Sequence, residues 1–368
     1  MSKAAELASL ASASETALSN RNIVINGAMQ ISQRATSVTG IGASSGYFTL
    51  DRWTIRTSSS AGRLTMSQDS DSPDEFGNSL KLACTTADTS IAAGEFMFLS
   101  TRIEGQDLQQ LKKGTSDAES ITVSFYVRGN ASATYVCELA DSDHDRNNTQ
   151  AFAVTTSWNR ITLTFTGDTT GAFADDNALS LQLNFWMHGG STYTGGTFAS
   201  NTWASETNAN RYAGSRTSFY DSTSRTLSIT GLQMEVGPVA TPFEHRSFGE
   251  ELALCQRYYY RHADHSENSA NSSIGIGFYY SSGLIMVYVN FKQSMRSSTP
   301  TLEFASGSNY YILQRAGATD GVNDFAIQAR GTNGCKIENS DEASGTAGES
   351  GIMMTDNAAA YIAFDAEL

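Results

Sequence analysis

Nowhere in the 368 residues is there an unbroken apolar run of about eighteen, the length a membrane-crossing helix needs. Charge is sparse as well. Only 17% of residues are charged, while 40% are hydrophobic and Ser, Thr, Asn and Gly are abundant. That composition suits short strands joined by polar turns and argues against a helical enzyme. Positive charge is the scarcer sign: the net charge is −14 and the pI about 4.8. An acidic surface repels phosphate backbones, so nucleic acid is not an expected partner. The four cysteines, Cys84, Cys137, Cys255 and Cys335, lie far apart with no Cys-x-x-Cys pair, and three of them sit in apolar runs. Reduced, buried thiols are expected rather than a disulfide framework. The N-terminus carries no basic-then-apolar secretory pattern. There is also no Gly-x-Ser-x-Gly, no Walker loop and no dinucleotide fingerprint, so catalysis is not expected.

What the chain does have is period-2 alternation. Ile121, Val123, Phe125 and Val127 alternate with polar residues, and Ile161, Leu163 and Phe165 do the same. Strands are expected at residues 47–57, 63–67, 79–84, 95–103, 120–128, 133–139, 158–166, 179–187 and 226–236, with one helical turn at 107–112. Such spacing with turn-rich breaks predicts a β-sandwich or jelly roll over residues 21–246. Residues 1–20 are rich in Ala, Leu and Glu without Gly or Pro, which predicts a short helix. Leu7, Leu10 and Leu18 fall on one face of it. That stripe is too short for an isolated coiled coil, and it reads as an anchor or as a frayed extension.

Between residues 187 and 224 a long polar stretch carries Tyr193, Phe198, Trp203, Tyr212, Phe219 and Tyr220. Aromatic faces suit sugar C–H surfaces, which makes Tyr193, Trp203, Tyr212 and Tyr220 the candidate carbohydrate-binding residues. The blander alternative is that these rings pack on the sandwich or against a neighbouring subunit. Residues 247–262 read as a connecting helix, with Ser247 and Glu250 forming a capping box. Residues 263–368 again read as β, with strands at 274–281, 284–292, 301–305, 310–313, 324–329 and 360–364 and Gly/Ser clusters between them.

Metal chemistry was sought in two places. Asp141, Asp143 and Asp145 have the alternate spacing of a calcium loop. Arg146 stands where such loops need Gly, however, and Phe152 stands where a closing Glu belongs. An acidic surface turn is the better reading. His262 and His265 are three apart, but without a His-Glu-x-x-His pattern or a nearby Cys they do not make a zinc site. No metal ligand and no cofactor is assigned from the sequence. The paired carboxylates Asp175-Asp176 and Glu250-Glu251 are adjacent in sequence, whereas a glycosidase pair is defined by separation across a cleft.

The stretch Leu227-Ser-Ile-Thr-Gly-Leu-Gln-Met-Glu-Val-Gly-Pro-Val-Ala-Thr-Pro-Phe-Glu-His245 reads as a closing strand followed by a Gly237-Pro238 stop. Residues 22–34, the triplet Asp51-Arg52-Trp53 and the terminal residues 364–368 accompany it in order. Together these resemble a module of structural proteins from tailed phages, mostly marine ones, usually tail-fibre or other virion proteins. The run from Ile103 through Trp158 is also similar to jelly-roll carbohydrate-binding modules of the galactose-binding type, some of which hold a structural calcium on other loops. The resemblance implies an all-β protein: a short N-terminal attachment helix, a jelly-roll sandwich and a second, smaller antiparallel β domain. It further implies a homotrimer in the virion, made in the host bacterial cytoplasm, with other phage tail or virion proteins and host surface polysaccharide as partners. A purely structural adaptor or capsid decoration is the alternative, and a capsule-degrading hydrolase a third.

Overall fold

The computed structural model describes Lys3, residues 20–267 and residues 271–368. The anchor face of Leu7, Leu10 and Leu18 lies outside the described residues. The chain divides into two compact units, one ending at Glu251 and one spanning Leu252–Glu367.

The first unit contains thirteen strands among its described residues. They are β1 (Ser37–Ile41), β2 (Gly46–Tyr47), β3 (Thr54–Ser58), β4 (Arg63–Asp69), β5 (Ser79–Thr86), β6 (Phe96–Glu104), β7 (Ile121–Gly129), β8 (Ala133–Asp141), β9 (Arg146–Val154), β10 (Asn159–Phe165), β11 (Leu179–Gly189), β12 (Ala204–Ser205) and β13 (Thr226–Val236). One sheet has the order β1-β4-β5-β13-β7-β10 and the other β12-β9-β8-β11-β6-β3-β2. Every strand pairing in both is antiparallel. This is an all-β jelly-roll sandwich, as the alternation predicts.

Alternation dictates the core. Ile121, Val123, Phe125 and Val127 of β7 all turn inward and are buried, while Tyr126 and Arg128 turn out. Phe125 meets Phe152 of β9 and Phe185 of β11 edge-on, with centroids 5.2 and 5.1 Å apart. Those contacts join the two sheets, and each such ring contributes roughly 1.5–3 kcal/mol by leaving water.

Three of the motifs that carry the resemblance, residues 22–34, Asp51-Arg52-Trp53 and the 227–245 stretch, meet in one buried knot. Asn22 donates through Nδ2 to the Leu232 carbonyl at 3.0 Å and accepts from Met234 N–H at 3.1 Å. Asn26 donates to the carbonyls of Ile31 and Asp51, and its own carbonyl accepts from the Trp53 indole. A Cβ on Gly27 would stand 2.0 Å from the Leu232 oxygen, so only glycine fits there. This knot corrects the strand expected at 47–57. Asp51 accepts from Gln33 N–H and Arg52 turns to φ 71°, so the chain leaves the sheet after Tyr47 and re-enters at Thr54.

Two short helices, α1 (Ser191–Thr194) and α2 (Asn208–Arg211), lie in the 187–224 stretch. A third, α3 (Phe248–Gln256), starts with the expected capping box: Ser247 N–H donates to Glu250 Oε2 at 2.9 Å, and Glu250 N–H to Ser247 Oγ at 3.3 Å. It ends at Gln256 rather than continuing to 262. Tyr258, Tyr259 and Tyr260 are strong strand formers, and the last two open β14 (Tyr259–Asp264), which pairs with the final strand of the chain.

The second unit continues with β15 (Ser273–Ser281), β16 (Leu284–Asn290), β17 (Thr301–Phe304), β18 (Tyr311–Arg315), β19 (Ala318–Val322), β20 (Ala326–Gln328), β21 (Gly334–Asn339), β22 (Ser350–Thr355) and β23 (Tyr361–Asp365). The sheets run β14-β23-β17 and β19-β18-β22-β15-β16-β21-β20, antiparallel throughout. Strands β19, β21 and β22 are additions to the sequence reading. All four cysteines are free and buried.

Candidate functional site

The two outer faces of the jelly roll differ, and the difference locates the site. On the β12-to-β2 sheet, the outward residues of β6, β8 and β11 include Phe96, Phe98, Glu138, Asn184 and Trp186. The stretch from α1 to Tyr220 folds over them. Tyr193 stacks at 5.3 Å from both Phe96 and Trp186, and Tyr212 lies 6.3 Å from Trp186. Arg211 of α2 places its guanidinium 4.7 Å above Trp186. The same guanidinium grips Glu138 through Nε at 2.8 Å and Nη2 at 2.7 Å.

Glu138 is fully buried and also accepts from Asn147, Asn184 and the Trp186 indole. Burial alone would raise its pKa, but Arg211 reverses that and holds the carboxyl below its ordinary value. Every lone pair of this buried acid has a donor. The arrangement is a latch for the overlying segment and leaves no room for substrate chemistry.

That geometry corrects the candidate list. Tyr212 and Tyr220 are 2% and 0% exposed and offer no face to solvent. Tyr212 packs beneath the segment and donates to Thr217 O, while Tyr220 lies against Gly62 and His188. Tyr193 and Trp203 are half-buried and pack on the core. Trp203 donates its indole N–H to Thr166 O at 2.7 Å, at the β12 edge. The four rings form no shared platform, because apolar rings in a polar insertion gain most by covering the sheet beneath them.

The β1-to-β10 sheet presents the contrary face. The registers align Ser67, Lys81, Ser228 and Arg128 in one row across β4, β5, β13 and β7. Above this row opens a cleft of about 380 Å³ lined by Lys81, Arg128, Asn130, Thr156, Thr226 and Ser228. The Trp158 ring stands 5.6 Å from the Arg128 guanidinium, and its indole N–H points to Asp71 Oδ1 at 3.4 Å. Arg128 also pairs with Asp71, and Lys81 with Asp69 at 2.8 Å. Burial would raise the Asp69 carboxyl, but Lys81 and the Asp71 N–H pull it below its usual range, so it stays ionised. Ammonium and guanidinium donors, an amide and hydroxyls line this cleft, with Trp158, Asp69 and Asp71 as partners of its two cations, a lining that suits a polyhydroxylated ligand. Sequence reasoning missed these residues. The outward parity of Ser124, Tyr126 and Arg128 was readable, but the pairing that brings Lys81 and Trp158 beside them was not.

The Asp141–Asn147 turn is no calcium loop. Lys113, buried, directs its ammonium to Asp141 Oδ2 at 2.6 Å, Asp168 Oδ2 at 3.2 Å and the carbonyls of Thr170 and Gly171 at 2.8 and 2.7 Å. Arg146 closes on Asp168 at 2.7 Å. The chain's own cation fills the oxygen ring. His262 is likewise used internally, with Nε2 on Ile274 O at 2.7 Å.

The jelly-roll sandwich thus has one sheet face latched by Arg211 and Glu138, while on the other Phe76 and the 237–243 segment cover much of β7, β10 and β13 and a cleft remains at Lys81, Arg128 and Ser228. No protein-family model matches the sequence, and no curated protein matches it. Among solved structures it is similar to a CBM4 module at 12% identity, covering 57% of this chain and 97% of that one, with a TM-score of 0.30. It is similar to the family 11 carbohydrate-binding module from Clostridium thermocellum in complex with a beta-1,3-1,4-mixed-linked tetrasaccharide, at 9% identity, 57% and 99% coverage and TM-score 0.27. It is also similar to the enzymatically active domain of bacteriophage CBA120 tailspike protein 4, at 11% identity, 58% coverage of this chain but 21% of that one, and TM-score 0.28.

Proposed function

We propose that this chain binds a glycan in the open cleft of the β1-to-β10 sheet, and that it does so without catalysis, as a surface-presenting virion appendage of tail-fibre type. The observation that carries the reading is a groove lined by Lys81, Arg128, Asn130, Thr226 and Ser228, with Trp158 against the Arg128 guanidinium, while the opposite sheet face is sealed. The carboxylates nearest the groove are tied to cations, which suits hydrogen-bond acceptance more than proton transfer. One such groove binds weakly. Several copies on one particle, as a homotrimer would provide, raise the strength through effective concentration. The N-terminal segment would attach the chain to the particle, and host surface polysaccharide would be the ligand.

A glycan array probed with the multivalent full-length protein tests this. Binding to host polysaccharide that is lost in Trp158→Ala and Arg128→Ala supports it; binding unchanged in both variants overturns it.

A second reading, a structural virion protein, is favoured by one feature of the second unit. The outward face of its larger sheet exposes Ile276, Tyr288 and Ile352 at 66%, 62% and 43%. Ile276 pairs with Ile352, and Phe278 stacks on Tyr288. Apolar side chains at such exposure suit protein contact. Loss of trimer on Ile352→Asp, with glycan binding absent in the unmutated protein, would favour that reading.

A further inference from the structure

Two side chains of the β5–β6 connection and one about a hundred positions later converge at one end of the jelly roll. Asp88 follows β5, Glu95 precedes β6 and His188 lies at the end of β11. All three are buried, and one ligand atom from each lies within 4.8 Å of the others. Neither carboxylate is ion-paired with any Lys or Arg among the described residues; Glu95 faces His188, at 3.4 Å between Oε2 and Nε2, and the Asp88 carboxyl, with which it shares a hydrogen bond. Two buried carboxylates set against one imidazole need a proton or a cation between them.

The surroundings select the cation. His188 Nδ1 sits 2.8 Å from Ser218 Oγ, which can accept its proton; in that tautomer Nε2 turns its lone pair toward the acids, as a metal ligand requires. Asp88 Oδ2 is pinned by Ala61 N–H at 2.8 Å and Ser60 Oγ at 3.0 Å. The 3.4 Å between Nε2 and Oε2 is long for a charged hydrogen bond, which prefers about 2.7–2.9 Å. It matches the edge of a tetrahedron, roughly 3.4 Å, whose ligands lie about 2.1 Å from its centre. An imidazole in the set disfavours calcium and magnesium, which take oxygen, and favours a first-row transition ion.

We propose that Asp88, Glu95 and His188 hold a divalent transition-metal ion of the zinc type. The fourth position is left for the second oxygen of a carboxylate or for a water. With all three ligands buried, the ion's role is structural: it ties the β5–β6 connection to the end of β11. The inference is independent of the glycan reading.

The full-length protein is stripped with EDTA, dialysed and titrated with Zn²⁺, and in parallel with Co²⁺, whose visible spectrum reports nitrogen–oxygen coordination. The expected result is about one equivalent retained through gel filtration, a melting temperature raised by several degrees, and at least a ten-fold weaker Kd in Glu95→Gln and His188→Gln. His144→Gln, which alters the imidazole set 3.2 Å from Asp141 Oδ2 at the other acidic corner, should leave Kd unchanged. The proposal is overturned by a wild-type Co²⁺ spectrum identical to the aqueous ion, by retention that survives both ligand variants, or by equal stabilisation with Ca²⁺. If His188→Gln does not fold, the isosteric Glu95→Gln and the wild-type Co²⁺ spectrum decide the matter alone.

Discussion

Two acidic corners of the same sandwich solve one electrostatic problem differently. Around Asp141 and Asp168 the chain supplies its own cations, Lys113 and Arg146, and the four oxygens about the Lys113 ammonium lie 2.6–3.2 Å away. Around Asp88 and Glu95 it supplies one imidazole and, among the described residues, no Lys or Arg. A buried carboxylate pair costs several kcal/mol unless something positive joins it. The first corner is therefore complete within the chain, whereas the second is the one proposed to take an outside cation. Carboxylates close in space do not by themselves mark a metal site; what marks one is the lack of an internal counter-charge.

The comparison breaks most directly at Lys113. Lys113→Met keeps the bulk and removes the ammonium, turning the complete corner into an incomplete one. A loss of about 3–5 kcal/mol in urea-monitored unfolding is expected, as for other buried pairs that lose one member. A loss under about 1 kcal/mol would mean that the two corners do not differ in the way argued here.

Lowering the pH presses on the same point more gently. At Asp168 burial raises the pKa, but Arg146 and Lys113 outweigh it, and the folded carboxyl titrates below its unfolded value. Glu138 behaves alike through Arg211. The folded state thus binds fewer protons than the unfolded chain across that interval. The stability from these pairs is present above the unfolded carboxylate range, near pH 4, and is lost as pH falls through the folded pKa values. Unfolding free energy measured from pH 7 downward should stay flat at first and then decline. A steady rise in stability on acidification would contradict the assignment.

The alternation of β7 and β10, the capping box at Ser247 and the burial of the cysteines could all be read from the sequence, because each depends on residues within a few positions. The candidate site could not. Lys81, Arg128 and Trp158 are neighbours only through the antiparallel registers of β5, β13, β7 and β10. Asp88 and His188 are a hundred positions apart. The aromatics of residues 193–220 misled for a physical reason: in a polar insertion a ring looks like a binding surface, yet Trp186, Phe96 and Phe98 left an apolar sheet face that those rings were needed to cover. The motifs of the phage resemblance have an internal use, since Asn22, Asn26, Asp51 and Trp53 close the fold.

A smaller effect sharpens the contrast between the corners. Glu95→Gln in metal-free protein removes one of two unneutralised acids, so it should cost less than about 1 kcal/mol, well under half the cost of Asp168→Asn, which strands Lys113 and Arg146. Parallel urea titrations in EDTA measure both. Equal losses would mean that Glu95 is as fully partnered as Asp168.

The smallest effect on stability is expected where the largest effect on binding is claimed. Trp158 is half-buried at the cleft, and the Lys81–Asp69 and Arg128–Asp71 pairs beside it are partly exposed, a class worth about 0–1 kcal/mol each. Lys81→Ala and Arg128→Ala should each shift unfolding by less than about 1 kcal/mol, in contrast to Lys113→Met, although all three remove a cation facing an aspartate. Burial alone separates them: Lys113 is sealed beneath Phe173 and Trp203, and the cleft cations stand in solvent. A residue that adds little to stability yet sets a guanidinium in the lining of a cleft is placed for a ligand. Urea unfolding and glycan binding of the same variants therefore have to move in opposite order, with Lys113→Met heaviest on stability and Arg128→Ala heaviest on binding.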